Sequence, residues 1–109
     1  MNWSVKYIPE AVNDLKKLAG NQRILVIKAI EKVKNNPISS FEGGYGKPLG
    51  NKNGSNLSGF LIIILRAAGI RIVYKVIKSE SEMLIVVIGA RADDEGYEIA
   101  AKRIHKNNL

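Results

Sequence analysis

Alternation opens the chain. Trp3, Val5 and Tyr7 share one side of an extended segment, so residues 2–8 read as a short strand. Pro9 stands where a helix would begin, because the N–H it lacks is one the first turn leaves unused. Ala11, Leu15 and Leu18 then recur at helical spacing with Val12 beside them. Gly20 reads as the helix stop and Asn21 as the cap of a second helix. That helix is expected to bury Ile24, Ile27, Ile30 and Val33 and to turn Lys28, Lys32 and Lys34 to water. Asn36 before Pro37 ends it, since proline disfavours α geometry in the residue ahead of it. So short a link makes the pair an antiparallel helical hairpin.

Residues 38–57 lose this periodicity and fill with Gly43, Gly44, Gly46, Gly50 and Gly54 among Asn51, Asn53 and Asn56, which predicts a long loop. Apolar strands are expected over 59–66, 70–78 and 83–90, joined by turns at Ala67–Gly69 and Ser79–Glu82. Asp93 or Asp94 caps a last helix, with Glu95 and Glu98 early and Lys102, Arg103 and Lys106 late, an order that suits the helix dipole. The whole predicts one α+β domain over residues 1–109, in the order β-α-α-β-β-β-α. Its sheet is mainly antiparallel, with the helical hairpin on one face.

The central hairpin carries the candidate chemistry. A two-residue turn at Ala68 and Gly69 would set Arg66 against Arg71, Ile64 against Val73 and Ile62 against Lys75. Leu61, Ile63, Leu65, Ile70, Ile72, Tyr74 and Val76 then form a core face. The other face shows Phe60, Ile62 and Ile64 with the cations Arg66, Arg71 and Lys75 and no carboxylate. Unbalanced like charges cost stability, so an anion is the expected partner; solvated arginines are the plainer alternative. A one-residue slip would exchange the faces.

Charge sharpens this picture. The chain carries 17 Lys and Arg against 10 Asp and Glu, a formal +7, and its excess lies before residue 79. A balance of this sign suits nucleic acid, a ribosome or an acidic protein segment, although solubility alone can account for it. There is no cysteine, which excludes disulfides and thiolate chemistry, and the single His105 excludes a histidine pair. No metal or cofactor is expected; Asp93 and Asp94 read as caps. Residues 43–47 imitate a phosphate loop but lack the strand before it and the hydroxyl residue after the lysine. The longest apolar run, Phe60 to Leu65, is far short of the roughly 20 residues of a membrane span, and no signal-peptide stretch precedes Pro9. A basic cytoplasmic domain is the expectation. Trp3 and Tyr97 fit either core positions or base stacking.

The run from Leu65 through Arg66, Gly69, Arg71 and Tyr74 to Ile77 resembles the RelE/ParE superfamily of bacterial toxin–antitoxin toxins. So do Ile88-Gly89-Ala90-Arg91, Tyr97, and Ala100 to Ile104. The resemblance extends to the helical hairpin, Asn36-Pro37 and Pro48-Leu49, and implies the same element order. It also implies a ribosome-dependent endoribonuclease that cuts messenger RNA without metal, the RNA's own 2′-hydroxyl attacking the adjacent phosphate. On that reading Arg71 and Arg91 hold the scissile phosphate, and Tyr97 stacks on a base or moves a proton. Arg66, Lys47 and Lys52 add RNA contacts. Two RelE lysines are replaced here by Ile62 and Ile64. Lys75, expected opposite Ile62, is the candidate to restore that cation as a base, with Lys47 or Lys52 next in line. The implied partners are ribosome, message and a cognate antitoxin, which would cover exposed Phe60, Ile62 and Ile64 and dock on the helices. A gyrase-poisoning ParE-like toxin and a non-catalytic antitoxin-binding module remain the alternatives.

Overall fold

Strand β1 (Ser4–Tyr7) leads through Ile8 into helix α1 (Pro9–Lys17) and then α2 (Gly20–Val33). After a loop come strands β2 (Lys47–Lys52), β3 (Ser55–Leu65), β4 (Ile70–Ile77) and β5 (Glu82–Gly89), and then helix α3 (Asp94–Lys106). The structure, a computed structural model, describes residues 3–52, 55–89 and 94–109; for 51, 52, 55 and 94–96 it describes the backbone alone. The strands form one sheet in the order β1-β5-β4-β3-β2, with β1 parallel to β5 and every other pair antiparallel.

Pro9 opens α1 as its sequence dictates, and Lys16 and Lys17 occupy the last turn. The joint to α2 differs from expectation. Leu18 and Ala19 are extended, and Gly20 is the first residue of α2 rather than a stop; Ala19, not Asn21, precedes the helix. Arg23 explains this. Its Nε donates to the Leu15 carbonyl at 3.2 Å, and its Nη2 to those of Lys16 and Leu18 at 3.2 and 2.9 Å. A guanidinium thus satisfies the carbonyls that a left-handed glycine would otherwise serve.

Helix α2 buries Val26, Ile30 and Val33, which lie at i, i+4 and i+7, whereas Ile24 and Ile27 are 55% and 41% exposed, contrary to the sequence reading. The expected loop over 38–57 is also corrected. Only its first part is loop, because Lys47–Lys52 add an edge strand to β3. Gly, Asn and Lys give this segment little strand propensity of its own, and pairing with an apolar neighbour decides its state. The ladder shifts between Pro48 and Gly50, where Gly50 and, opposite, Gly59 take positive φ of 69° and 86°.

The β3–β4 register also departs from expectation. Leu65 pairs with Ile70, Ile64 with Arg71, Ile62 with Val73 and Phe60 with Lys75, leaving a four-residue turn over 66–69. The slip is one whole pair, so each side chain keeps its expected face while its opposite changes. Leu61, Ile63, Ile70, Ile72 and Tyr74 face the helical hairpin; the Tyr74 hydroxyl donates to the Pro37 carbonyl at 2.8 Å, just beyond α2. The other face is not open. Phe60 and Ile62 are 5% and 3% exposed, Val73 and Val87 are buried, and Ile64 is half-buried. Helix α3 packs against β3 and β5 there, with Ala100 fully buried.

One ionic cluster ties both helical layers to the sheet. Asp14 on α1 accepts from Arg103 Nη1 at 2.5 Å and Nη2 at 3.1 Å, and from the Ile88 N–H at 3.0 Å. Arg103 Nη1 also donates to the Val86 carbonyl at 3.1 Å. Strand β1 pairs only with Glu82 to Ile85, which leaves the later part of the β5 edge for this clamp.

Candidate RNA-binding site

Strand β4 points Arg71 and Lys75 to the α3 side of the sheet, because residues an even number apart share a face. Arg71 is half-buried between Ile64 on β3 and Gly89 on β5. A glycine opposite it adds no side chain to crowd the guanidinium. Arg71 Nη1 donates to the Tyr97 hydroxyl at 2.8 Å, across two elements 26 positions apart. Tyr97 is therefore neither wholly core nor free: half-buried, it accepts from a cation and keeps its own proton to give. Among the described residues this is the one hydrogen bond of the Arg71 guanidinium, and a guanidinium carries further N–H donors in a fixed plane, suited to a phosphate.

Lys75 lies opposite Phe60, not Ile62, and its Nζ stands 5.7 Å from the centroid of the Phe60 ring. The neighbour directly across from Ile62 on β2 is Lys47, which is exposed. Arg71, Lys75 and Lys47 thus share one side of the sheet, spaced around Ile62 and Val73. Arg66 is exposed in the β3–β4 turn, beside a cleft of about 390 Å³ lined by Leu25, Ile64, Leu65, Ala67 and Ala68. Arg91 lies outside the described residues, and so does the side chain of Lys52. Trp3 is half-buried and His105 exposed.

The sequence reading places a loop between Pro37 and Gly46 but does not single out its aromatic residues. The loop displays Phe41 and Tyr45, 89% and 56% exposed, with Lys32 Nζ 5.9 Å from the Tyr45 ring centroid. Two aromatics within a Ser- and Gly-rich segment that lacks apolar periodicity are the available signal. Among the described residues no group of three or more His, Cys, Asp or Glu side chains could hold a metal ion, and no helix is long and apolar enough to cross a membrane. Burial raises the pKa of the Tyr74 phenol well above its ordinary value; Tyr7 moves the same way, through burial first and the Glu31 charge second.

No family model matches this sequence, and neither does any curated protein. Solved structures do match. A variant of the Escherichia coli toxin RelE with two arginine-to-alanine substitutions is 25% identical over 95% of this chain and 99% of its own, with a TM-score of 0.73. The isolated E. coli RelE toxin is 24% identical over 94% and 98%, with a TM-score of 0.67. The toxin–antitoxin complex RelBE of Mycobacterium tuberculosis gives 23% identity over 85% and 95%, with a TM-score of 0.65. From β1 to α3, the chain has the RelE-like toxin fold.

Proposed function

We propose that this protein is the toxin of a toxin–antitoxin pair and cleaves messenger RNA on the ribosome. The observation that carries the reading is the 2.8 Å contact between Arg71 and Tyr97 on a face that also holds Lys47 and Lys75. A phosphate placed against Arg71 would lie beside the Tyr97 hydroxyl. The 2′-hydroxyl of the preceding ribose gives its proton to water and attacks the phosphorus, the bond to the 5′-oxygen of the next nucleotide breaks, and a 2′,3′-cyclic phosphate remains. Arg71 stabilises the charge that grows on the phosphate oxygens, together with Arg91 as the resemblance implies. Tyr97 has one proton free to donate toward the departing oxygen, or presents its ring to a neighbouring base. The protein's largest contribution is to align the attacking hydroxyl with the leaving oxygen.

An antitoxin is the proposed protein partner, since the intact E. coli RelBE complex and an archaeal RelE–RelB complex from Pyrococcus horikoshii share this fold. With Phe60 and Ile62 buried, its apolar footing is instead Ile24, Leu25 and Ile27 on α2 and the adjoining cleft at the β3–β4 turn. An amphipathic segment with acidic flanks fits that surface.

Primer extension on ribosome-bound message after induction tests the reading. Discrete cuts within codons are expected. Intact message with trapped gyrase–DNA complexes would overturn it in favour of a gyrase poison, and neither outcome would leave an antitoxin-binding module.

A further inference from the structure

Phe41 stands beside a cleft of about 290 Å³ between the loop after α2 and the ends of β3 and β4. Pro48, Phe60, Leu61 and Val76 supply apolar lining; Glu42 and Lys78, joined by a 2.5 Å ion pair, supply an acceptor and a donor. The cleft is near the lower end of the range for small-ligand sites, the scale of a single planar heterocycle rather than a folded segment.

The loop around it is built before any ligand arrives. Tyr45 and Gly46 donate their N–H groups to the carbonyls of Asn36 and Ile38 at 2.9 and 3.0 Å, and Ser40 donates to Gly46 at 2.7 Å. Ser39 Oγ accepts from the Phe41 N–H at 3.1 Å, and Asn36 Nδ2 donates to the Gly43 carbonyl at 3.1 Å. A Cβ on Gly46 would come 2.5 Å from the Tyr74 hydroxyl oxygen, so the loop is seated hard on the core. An aromatic ring held in water on so constrained a frame gives up little further freedom when something stacks on it.

Charge selects the occupant. Two carboxylates of this region are matched, Glu42 by Lys78 and Glu31 by Lys34 at 2.7 Å, while Lys32 lies over the Tyr45 ring and Lys47 follows the loop directly. Aromatic faces interleaved with lysines are the means by which proteins hold unpaired bases along a phosphate backbone. Phe60 lines the cleft and carries Lys75 on its ring, so one side chain lies between the cleft and the Arg71 face. Arg71 and Lys75 are four residues apart on β4, about 13 Å along an extended strand, a span that a few nucleotides cover.

We infer that the cleft beside Phe41 receives one unpaired base of the same RNA strand whose phosphate lies at Arg71, with Phe41 stacking on it and the Glu42–Lys78 pair meeting its edge. The inference rests on the RNA-cleaving reading for its source of RNA, and deepens that reading with a second, non-catalytic foothold.

The test is direct binding of a fluorescein-labelled single-stranded RNA octamer by fluorescence anisotropy, with a hairpin duplex as control. Phe41→Ala should weaken binding of the single strand by roughly 5- to 100-fold, the range for one base–aromatic stack, and Phe41→Trp should restore it. The fold should be unaffected, since Phe41 is 89% exposed, and an unchanged thermal midpoint checks this. A 4-thiouridine octamer should crosslink to the loop at 38–46. Binding that Phe41→Ala leaves unchanged, or crosslinks confined to the Arg71 face, would overturn the inference while leaving the cleavage reading intact. Absence of single-strand binding would overturn it as well, with primer extension still deciding the cleavage reading separately. If Phe41→Ala instead released a co-expressed antitoxin and left RNA binding alone, the cleft would be a protein site.

Discussion

Tyr74 and Arg71 sit among apolar neighbours on opposite faces of the sheet, and the two are satisfied differently. Tyr74, fully buried, gives its only proton to a backbone carbonyl at Pro37. Arg71, half-buried, gives an N–H group to the side chain of Tyr97, the one hydrogen-bond partner of its guanidinium among the described residues. A group matched to the backbone is fixed by the fold and belongs to its architecture. A cation matched only to another side chain keeps donors for a ligand, and its neighbour can reorient toward that ligand too. The contrast separates structural from chemical polarity in a chain where both lie near the core.

Replacing Arg71 should give the largest effect. Arg71→Ala is expected to slow message cleavage by on the order of 10²–10³, the cost of one preorganised donor to developing charge, with the unfolding midpoint little changed. Arg71→Lys should recover little, because a point charge cannot reproduce the planar fork. A large stability loss with cleavage retained would place Arg71 with Tyr74 and erase the distinction.

Asp14 extends the comparison, being matched both to the Ile88 backbone and to Arg103. It should behave as architecture. Asp14→Ala would leave Arg103 without its partner, at a cost of about 2–3 kcal/mol in urea unfolding once its slight exposure is allowed for. A loss under about 0.5 kcal/mol would show the clamp to be a surface pair.

Tyr74→Phe should cost about 1 kcal/mol, the net worth of one hydrogen bond. Its pH signature is more telling. Burial raises the folded-state pKa of Tyr74 above that of the unfolded chain, so the phenol's contribution is complete below about pH 10 and declines as pH rises beyond it. Unfolding curves at pH 8 and pH 10.5 should show a drop in the wild type that Tyr74→Phe lacks, and equal drops would contradict the assignment.

The smallest effects should come from Lys47→Ala and Lys75→Ala. Each is expected to change stability by less than about 0.5 kcal/mol and to lower the salt dependence of RNA binding by about one counterion. A salt slope that neither substitution moves would remove both lysines from the RNA path.

The sequence carried the elements whose local pattern agrees with their final surroundings. Pro9, the apolar alternation of β3 to β5 and the acidic-to-basic order of α3 all point one way, and the structure follows them. β2 was not legible, because Lys47–Lys52 become a strand through their neighbour rather than through their own side chains. Residues Ile24 and Ile27 were assigned to the core by their hydropathy, yet nothing in a periodicity states how far the surface opposite extends. The face of every residue in the central hairpin was readable from alternation, but the turn length was not. That is why Lys75 lies against Phe60 and Lys47 against Ile62. Arg71 and Tyr97 could be singled out, whereas their contact depends on how α3 crosses the sheet.

The Asp14–Arg103 clamp joins residues 89 positions apart and holds two helices together. So distant a closure has to wait until the hairpins have shortened the effective loop. The clamp then forms on the native side of the folding barrier, where an interaction governs how fast the protein unfolds rather than how fast it folds. In kinetic terms it is a latch. Weakening it should steepen the escape from the native state and leave the refolding arm of the chevron in place, with the amides of α3 exchanging before those of β4.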